Sequence, residues 1–167
     1  MKKERLAVLS GYLTSQMELL ERIWKEVEST QPTDREKTSH LSYLLHNLYC
    51  ALEELFQEVA KTFENRIEDL SRYHRELLQR MRLTIPGIRA NVLSEKSFLI
   101  LNELRAFRHI FRHAYTYELD PERVRYLKLK VKRHWRLIRM DLDEFARFVG
   151  SAMEESSPYQ KNRRKKS

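Results

Sequence analysis

Apolar residues recur along this chain at steps of three and four, the spacing that gathers them on one face of an α-helix. The first stripe runs Leu6, Leu9, Leu13, Met17, Leu20, Ile23, Trp24 and Val27 and predicts one helix of about 25 residues. Gly11 and Tyr12 interrupt its polar face only, and Ser29-Thr30-Gln31-Pro32 ends it. Thr33-Asp34-Arg35-Glu36 has the form of a capping box, in which the Thr hydroxyl and the Glu carboxylate each satisfy a free amide at a helix start. The stripe that follows is Leu41, Leu44, Leu45, Leu48, Leu52, Leu55, Phe56, Val59 and Phe63. It predicts a second long helix, packed antiparallel on the first through the short connection.

Beyond Asn65 the periodicity weakens. Leu70, Tyr73, Leu77, Leu78 and Met81 predict a shorter helix with Asn65 or Asp69 as its cap, and Thr84-Ile85-Pro86-Gly87 stops it. A loop runs from there to about Leu93; Arg89 within it fits an RNA groove or a structural salt bridge. Ser94-Glu95-Lys96-Ser97 opens the next helix, with Phe98, Leu101, Leu104, Phe107, Phe111 and Ala114 facing the core. Asp120-Pro121-Glu122 starts the last, Asp as cap and Pro at the first helical position. Its core stripe is Val124, Leu127, Val131, Trp135, Ile138, Leu142, Phe145 and Val149, while Lys128, Lys130, Lys132, Arg133, Arg136 and Arg139 crowd its other faces. The pattern as a whole predicts an all-α bundle of four long helices plus a short one. With only 3 Gly and 4 Pro in 167 residues, little is left for tight turns and sheets.

No apolar run approaches the roughly 20 residues of a membrane span. The start, Met1-Lys2-Lys3-Glu4-Arg5, leads into an amphipathic pattern rather than a signal-peptide core, so a cytoplasmic protein is expected. The net charge is +8, but Lys161, Arg163, Arg164, Lys165 and Lys166 supply five of those charges. Residues 1–155 are therefore read as the helical domain and 156–167 as a disordered basic tail, serving either RNA attraction or solubility. The single cysteine, Cys50, reads as a small buried hydrophobe. His40 and His46, six residues apart, stand too far round a helix to share a metal and read as satisfied or exposed, and His134 as packing. The basic run of the last helix is either an RNA surface or an ordinary solvated face.

The chemistry concentrates in Arg105-Ala106-Phe107-Arg108-His109-Ile110-Phe111-Arg112-His113-Ala114-Tyr115. Arg108 and His113 are five residues apart, His109 follows the arginine directly, and Tyr115 lies two beyond the second histidine: R-x4-H-x-Y. Arginine offers a fixed fork of donors matched to phosphate, and histidine titrates near neutrality and can take and return a proton. Arg108 and Arg112 favour the neutral imidazole, which suits a general base. Arg105, Arg108 and Arg112 follow at steps of three and four, as if on a face of their own away from the core. His109 and His113 have the spacing of a metal pair, yet no acidic residue stands close in the segment, and no metal is expected. Five helical steps leave Arg108 and His113 roughly 140° apart. Two copies meeting across a two-fold axis would pair the arginine of one with the histidine of the other.

This segment resembles the signature of HEPN-domain ribonucleases, R-x4-6-H with a polar residue after the arginine. The H-x-Y ending resembles the HepT toxins, which pair with MntA-type nucleotidyltransferase antitoxins. Ile85-Pro86-Gly87-Ile88-Arg89 upstream and Tyr117-Glu118-Leu119-Asp120 downstream are similar to a HepT-like branch. The resemblance covers residues 1 to about 150, with its specific motifs between 85 and 120. It implies a HEPN-like antiparallel bundle and a metal-independent endoribonuclease without cofactor, acting on RNA as a homodimer or higher oligomer. His113 would help deprotonate the ribose 2′-hydroxyl and Arg108 would steady the charge on phosphorus, with His109, Arg112 and Arg105 in support. The products would be a 2′,3′-cyclic phosphate and a 5′-hydroxyl. The resemblance further implies that a nucleotidyltransferase antitoxin silences the toxin by adding AMP to Tyr115, with Tyr117 a rival acceptor. The chain has no G-S-x10-D-x-D motif, so that enzyme would be a separate protein. The alternative is a catalytically inactive helical interaction or nucleotide-binding module partnering a nucleotidyltransferase.

Overall fold

Each apolar stripe folds into a helix that buries it. The computed structural model describes residues 2–64, 70–113 and 119–155. They form α1 (Lys2–Ser29), α2 (Arg35–Glu64), α3 (Leu70–Met81), α4 (Glu95–Arg112) and α5 (Pro121–Glu155), with no strand among them. α1 packs on α2 and α5, α2 on α4, and α4 on α5, which closes a ring of four long helices, while the short α3 rests on α2 and α4. This is the all-α bundle of four long helices plus a short one that the stripes predict. Leu13, Leu20, Val27, Leu45, Leu52, Phe56, Leu101, Val131, Ile138 and Phe145 are almost wholly removed from water; each large apolar side chain so buried contributes about 1.5–3 kcal/mol before entropy is counted. Trp24 and Trp135 stack between α1 and α5, ring centroids 5.0 Å apart and planes 21° apart. The Trp135 indole N–H donates to Glu21 Oε1 at 3.3 Å.

The helix starts carry the expected chemistry with one correction. At α2 the cap is Asp34, whose Oδ1 accepts from the Lys37 amide at 2.8 Å, rather than Thr33. A carboxylate both accepts the bond and complements the positive end of the helix, where a hydroxyl does only the first. Ser94 caps α4 by accepting from the Ser97 amide, and its own amide and hydroxyl donate to Asp141 Oδ2 at 2.8 and 2.7 Å. The start of α4 is thereby tied to α5. Asp120 Oδ1 accepts from the Glu122 amide at 3.0 Å, with Pro121 at the first helical position. The expected caps Asn65 and Asp69, the side chains of Leu70 and Tyr73, and the basic tail lie outside the described residues.

Two basic residues prove structural. Arg89 is 2% exposed and chelates the loop: its guanidinium donates to Glu64 Oε1 (2.6 and 3.1 Å) and to the carbonyls of Arg80, Leu83 and Ala90. Gly87, at φ 72°, makes the turn that brings Ile85 back to Arg89, a left-handed conformation that costs a side-chain-bearing residue. Of the two readings of Arg89, the salt bridge is the one found. Lys128, placed by its spacing among the surface bases of α5, is 3% exposed. Its ammonium donates to the carbonyls of Glu28 (2.9 Å) and Thr30 (2.6 Å), which the end of α1 leaves without helical partners. No helix among the described residues is long and apolar enough to cross a membrane.

Candidate functional site

At 100° per residue, Leu99, Ala106, Ile110 and His113 fall within about 60° of one another on α4, whereas Arg108 lies roughly opposite, about 40° from Leu104. The structure follows this arithmetic. Leu99 and Ile110 are 53% and 36% exposed, Leu104 is buried, and Ala106, His109, Arg112 and His113 are exposed. Arg108 turns inward with only 16% of its side chain accessible. The expectation that the three arginines share a face away from the core is therefore corrected. Arg108 belongs to the core-facing side, its head directed at Glu53 of α2.

α2 meets it with a row of polar groups at helical spacing: His46, Tyr49, Cys50 and Glu53. Arg108 Nη2 stands 3.6 Å from Glu53 Oε1, and Tyr49 and Glu53 are 0% and 4% exposed. The His46 ring lies against Phe111, centroids 5.0 Å apart, with the Cys50 thiol 3.6 Å from its Nε2. Phe111 in turn stacks on Phe107. His46 Nδ1 and Arg108 Nε are buried without a hydrogen-bond partner, so each retains hydrogen-bonding capacity.

The electrostatics follow from this packing. Burial opposes the charge on Arg108, but Cys50, Glu53 and Tyr49 more than offset it and raise its pKa. Burial, then the positive charges of Arg108 and Arg112, lower the pKa of His46. The histidine that these arginines hold neutral is thus His46 on α2. Burial and the Glu53 carboxylate push the Tyr49 phenol well above its ordinary range.

The remaining motif residues sit at the solvent side. α4 ends at Arg112, and His113 is its C-cap, with an amide that donates to the Ile110 carbonyl at 3.1 Å. Its ring makes an edge contact with His109, centroids 4.6 Å apart. Among the described residues, no third His, Cys, Asp or Glu joins them in a group able to hold a metal. Arg105 Nε donates to Asn102 Oδ1 at 3.0 Å. Tyr115 and Tyr117 lie outside the described residues. The structure thus joins Arg108 to α2 and His109 to His113, with the two sets on different sides of one helix. A cleft lined by Arg5, Leu6, Thr62, Phe63, Gly87 and Ile88 shares no residue with either.

His46, Tyr49, Cys50 and Glu53 escaped the sequence reading as a group. A signal was present: Glu53 falls four residues after Tyr49 and three before Phe56, on the apolar side of α2, where an unpaired carboxylate is rarely buried. On α5, the basic run also divides. Lys128 caps α1, Lys130 pairs with Glu103, Lys132 with Glu28 and Arg139 with Glu21, while Arg133 and Arg136 are exposed. His134 is half-buried, its Nδ1 2.9 Å from the Lys130 carbonyl.

A ring of four long helices bearing R-x4-H at the end of α4 defines a HEPN-type helical protein. The family profile described as HepT-like protein matches residues 40–149, more than half of the chain, and the chain belongs to that family. HepT-like proteins of the HEPN type are associated with toxin–antitoxin pairs. Comparison with curated proteins and with solved structures gives no match.

Proposed function

We propose that this protein is the toxin of a toxin–antitoxin pair, a metal-independent endoribonuclease whose site is completed by a second copy of the chain. The observation that carries the reading is the division of the motif. Arg108 is held charged on the inner side of α4, whereas His113 stands exposed at its C-terminal end, roughly 140° away by helical geometry. A second copy that brings its own His113 to the Arg108 side of α4 would unite the two groups, and a two-fold contact would duplicate the pair.

In such a site His113 accepts the proton of a ribose 2′-hydroxyl. The oxygen attacks the adjacent phosphorus and the P–O5′ bond breaks, the leaving oxygen taking a proton from solvent, giving a 2′,3′-cyclic phosphate and a 5′-hydroxyl end. Arg108 stabilises the charge gathering on the phosphoryl oxygens, and His109, Arg112 and Arg105 support the RNA backbone. An MntA-like nucleotidyltransferase antitoxin silences the toxin by transferring AMP to Tyr115, which adds anionic phosphate two residues after His113 and offsets the charge of the motif's arginines. Residues 1–155 form the domain that does this and 156–167 a basic tail.

The test is RNA cleavage in the presence of a chelator. The parent is expected to cut and to leave cyclic phosphate ends, and Arg108→Ala and His113→Ala are each expected to abolish cutting. An inert parent, free of covalent AMP by intact mass, would overturn the reading. The Arg108–Glu53 ion pair favours one second reading, a helical module partnering a nucleotidyltransferase, in which the arginine's charge serves packing alone.

A further inference from the structure

We propose that Glu53 is a positioning residue for the site, and that the α2 row His46–Cys50–Glu53 is its inner wall. The inference rests on the ribonuclease reading above and adds a group from a different helix, outside the motif. Arg108 has a long, rotamer-rich side chain whose use on a phosphate depends on being aimed before the substrate arrives. Four features aim it. Glu53 is 4% exposed and its Oε1 lies 3.6 Å from Arg108 Nη2. Cys50 lies one turn away on the same face of α2, its thiol 3.6 Å from His46 Nε2. His46 and Phe111 close the space beyond, ring against ring. Finally, the guanidinium is not saturated by the carboxylate, which stands at ion-pair rather than hydrogen-bond distance. A guanidinium so held is fixed in direction and charge while keeping donors for a phosphate. A saturated, purely structural arginine is built differently: Arg89 in this chain places all three of its nitrogens in hydrogen bonds.

The experiment compares the parent chain with Glu53→Gln, Glu53→Asp and, as a control, Glu54→Gln on the exposed neighbour. It uses two readouts. The first is steady-state cleavage of a fluorescent RNA, well below the melting temperature of every variant. Glu53→Gln is expected to lower kcat about 100-fold with KM nearly unchanged. Glu53→Asp, which keeps the charge and shortens the reach, should fall between, and Glu54→Gln should match the parent. The second is the Arg108 Nε–H signal in the NMR spectrum, assigned by its loss in Arg108→Lys. It should be rigid and slowly exchanging in the parent and mobile in Glu53→Gln.

Cleavage by Glu53→Gln within a few-fold of the parent, or an Arg108 signal as ordered as the parent's, overturns the proposal. A loss seen only in KM or only in melting temperature does the same. If Glu53→Gln does not fold, Glu53→Asp carries both readouts: reduced kcat with a loosened Arg108 supports the positioning role, and unchanged values overturn it. If the parent cuts no RNA, the ribonuclease reading falls, and the NMR readout alone decides whether Glu53 holds Arg108.

Discussion

Arg108 on α4 and Glu53 on α2 form an ion pair at 3.6 Å whose side chains are only 16% and 6% accessible. Charges this far from water are costly to separate, since removing one partner strands the other in the interior. Glu53→Ala is expected to lose about 3 kcal/mol of unfolding free energy in urea. Replacing both partners, as Glu53→Leu with Arg108→Met, should recover part of that loss. Additive losses in the double variant would refute the coupling.

His46 makes stability depend on pH in a defined direction. Its pKa in the folded protein lies below the ordinary 6.5, through burial and the charges of Arg108 and Arg112, with the Cys50 thiol and the Phe111 ring its other neighbours. The unfolded chain therefore takes up the proton first. The stabilisation from neutral His46 is complete above about pH 6.5 and is lost as pH falls from there through the lower folded value. Between about pH 7.5 and pH 5.5, the melting temperature of the parent should fall more than that of His46→Gln. Parallel curves would remove His46 as a source of the dependence.

Arg89 predicts a severe structural phenotype far from the motif. Its side chain is fully inaccessible and holds Glu64 together with the Arg80 carbonyl at the end of α3 and the loop carbonyls of Leu83 and Ala90. Arg89→Ala leaves those acceptors unsatisfied, although Arg80 also pairs with Glu64. A loss of about 3–5 kcal/mol by denaturant unfolding is expected, and Arg89→Lys should rescue little because an ammonium cannot span the same fork. Near-parental stability in Arg89→Ala would contradict the chelating role.

Lys128 is a smaller case of the same kind. Lys128→Met keeps the apolar stem and deletes only the donors to the carbonyls of Glu28 and Thr30. A loss of about 1–3 kcal/mol should follow, with amide exchange quickening at the end of α1 before the rest of the helix. Uniform exchange along α1 would speak against a capping function.

The helices and their buried faces were legible in the sequence because burying a stripe is a local, periodic demand. All eight core positions named for α5, from Val124 to Val149, are buried. The cap at Ser94 and the Asp120-Pro121 start were equally plain, since they depend on neighbours within a few residues. What could not be read was which polar residue a neighbouring helix would turn inward. Lys128 and Arg108 fall on the core-facing side of their own helices, but what each meets there, the end of α1 and Glu53, is set by the packing of other elements. Glu53 itself sits next to the exposed Glu54, and composition cannot choose between two adjacent glutamates. The motif and the angle between its ends were legible from spacing, but the α2 groups that meet Arg108 were not.

The stacked pair between α1 and α5 has a practical outcome. The chain has 2 tryptophans, and Trp24 and Trp135 are those two, lying face to face. Intrinsic fluorescence and near-ultraviolet dichroism therefore act as a built-in gauge of the separation of one helix pair, on elements that do not carry the Arg108 motif. Rupture of that pair on heating should shift the emission at once, whereas a ligand settling at the motif end of α4 should leave the signal still.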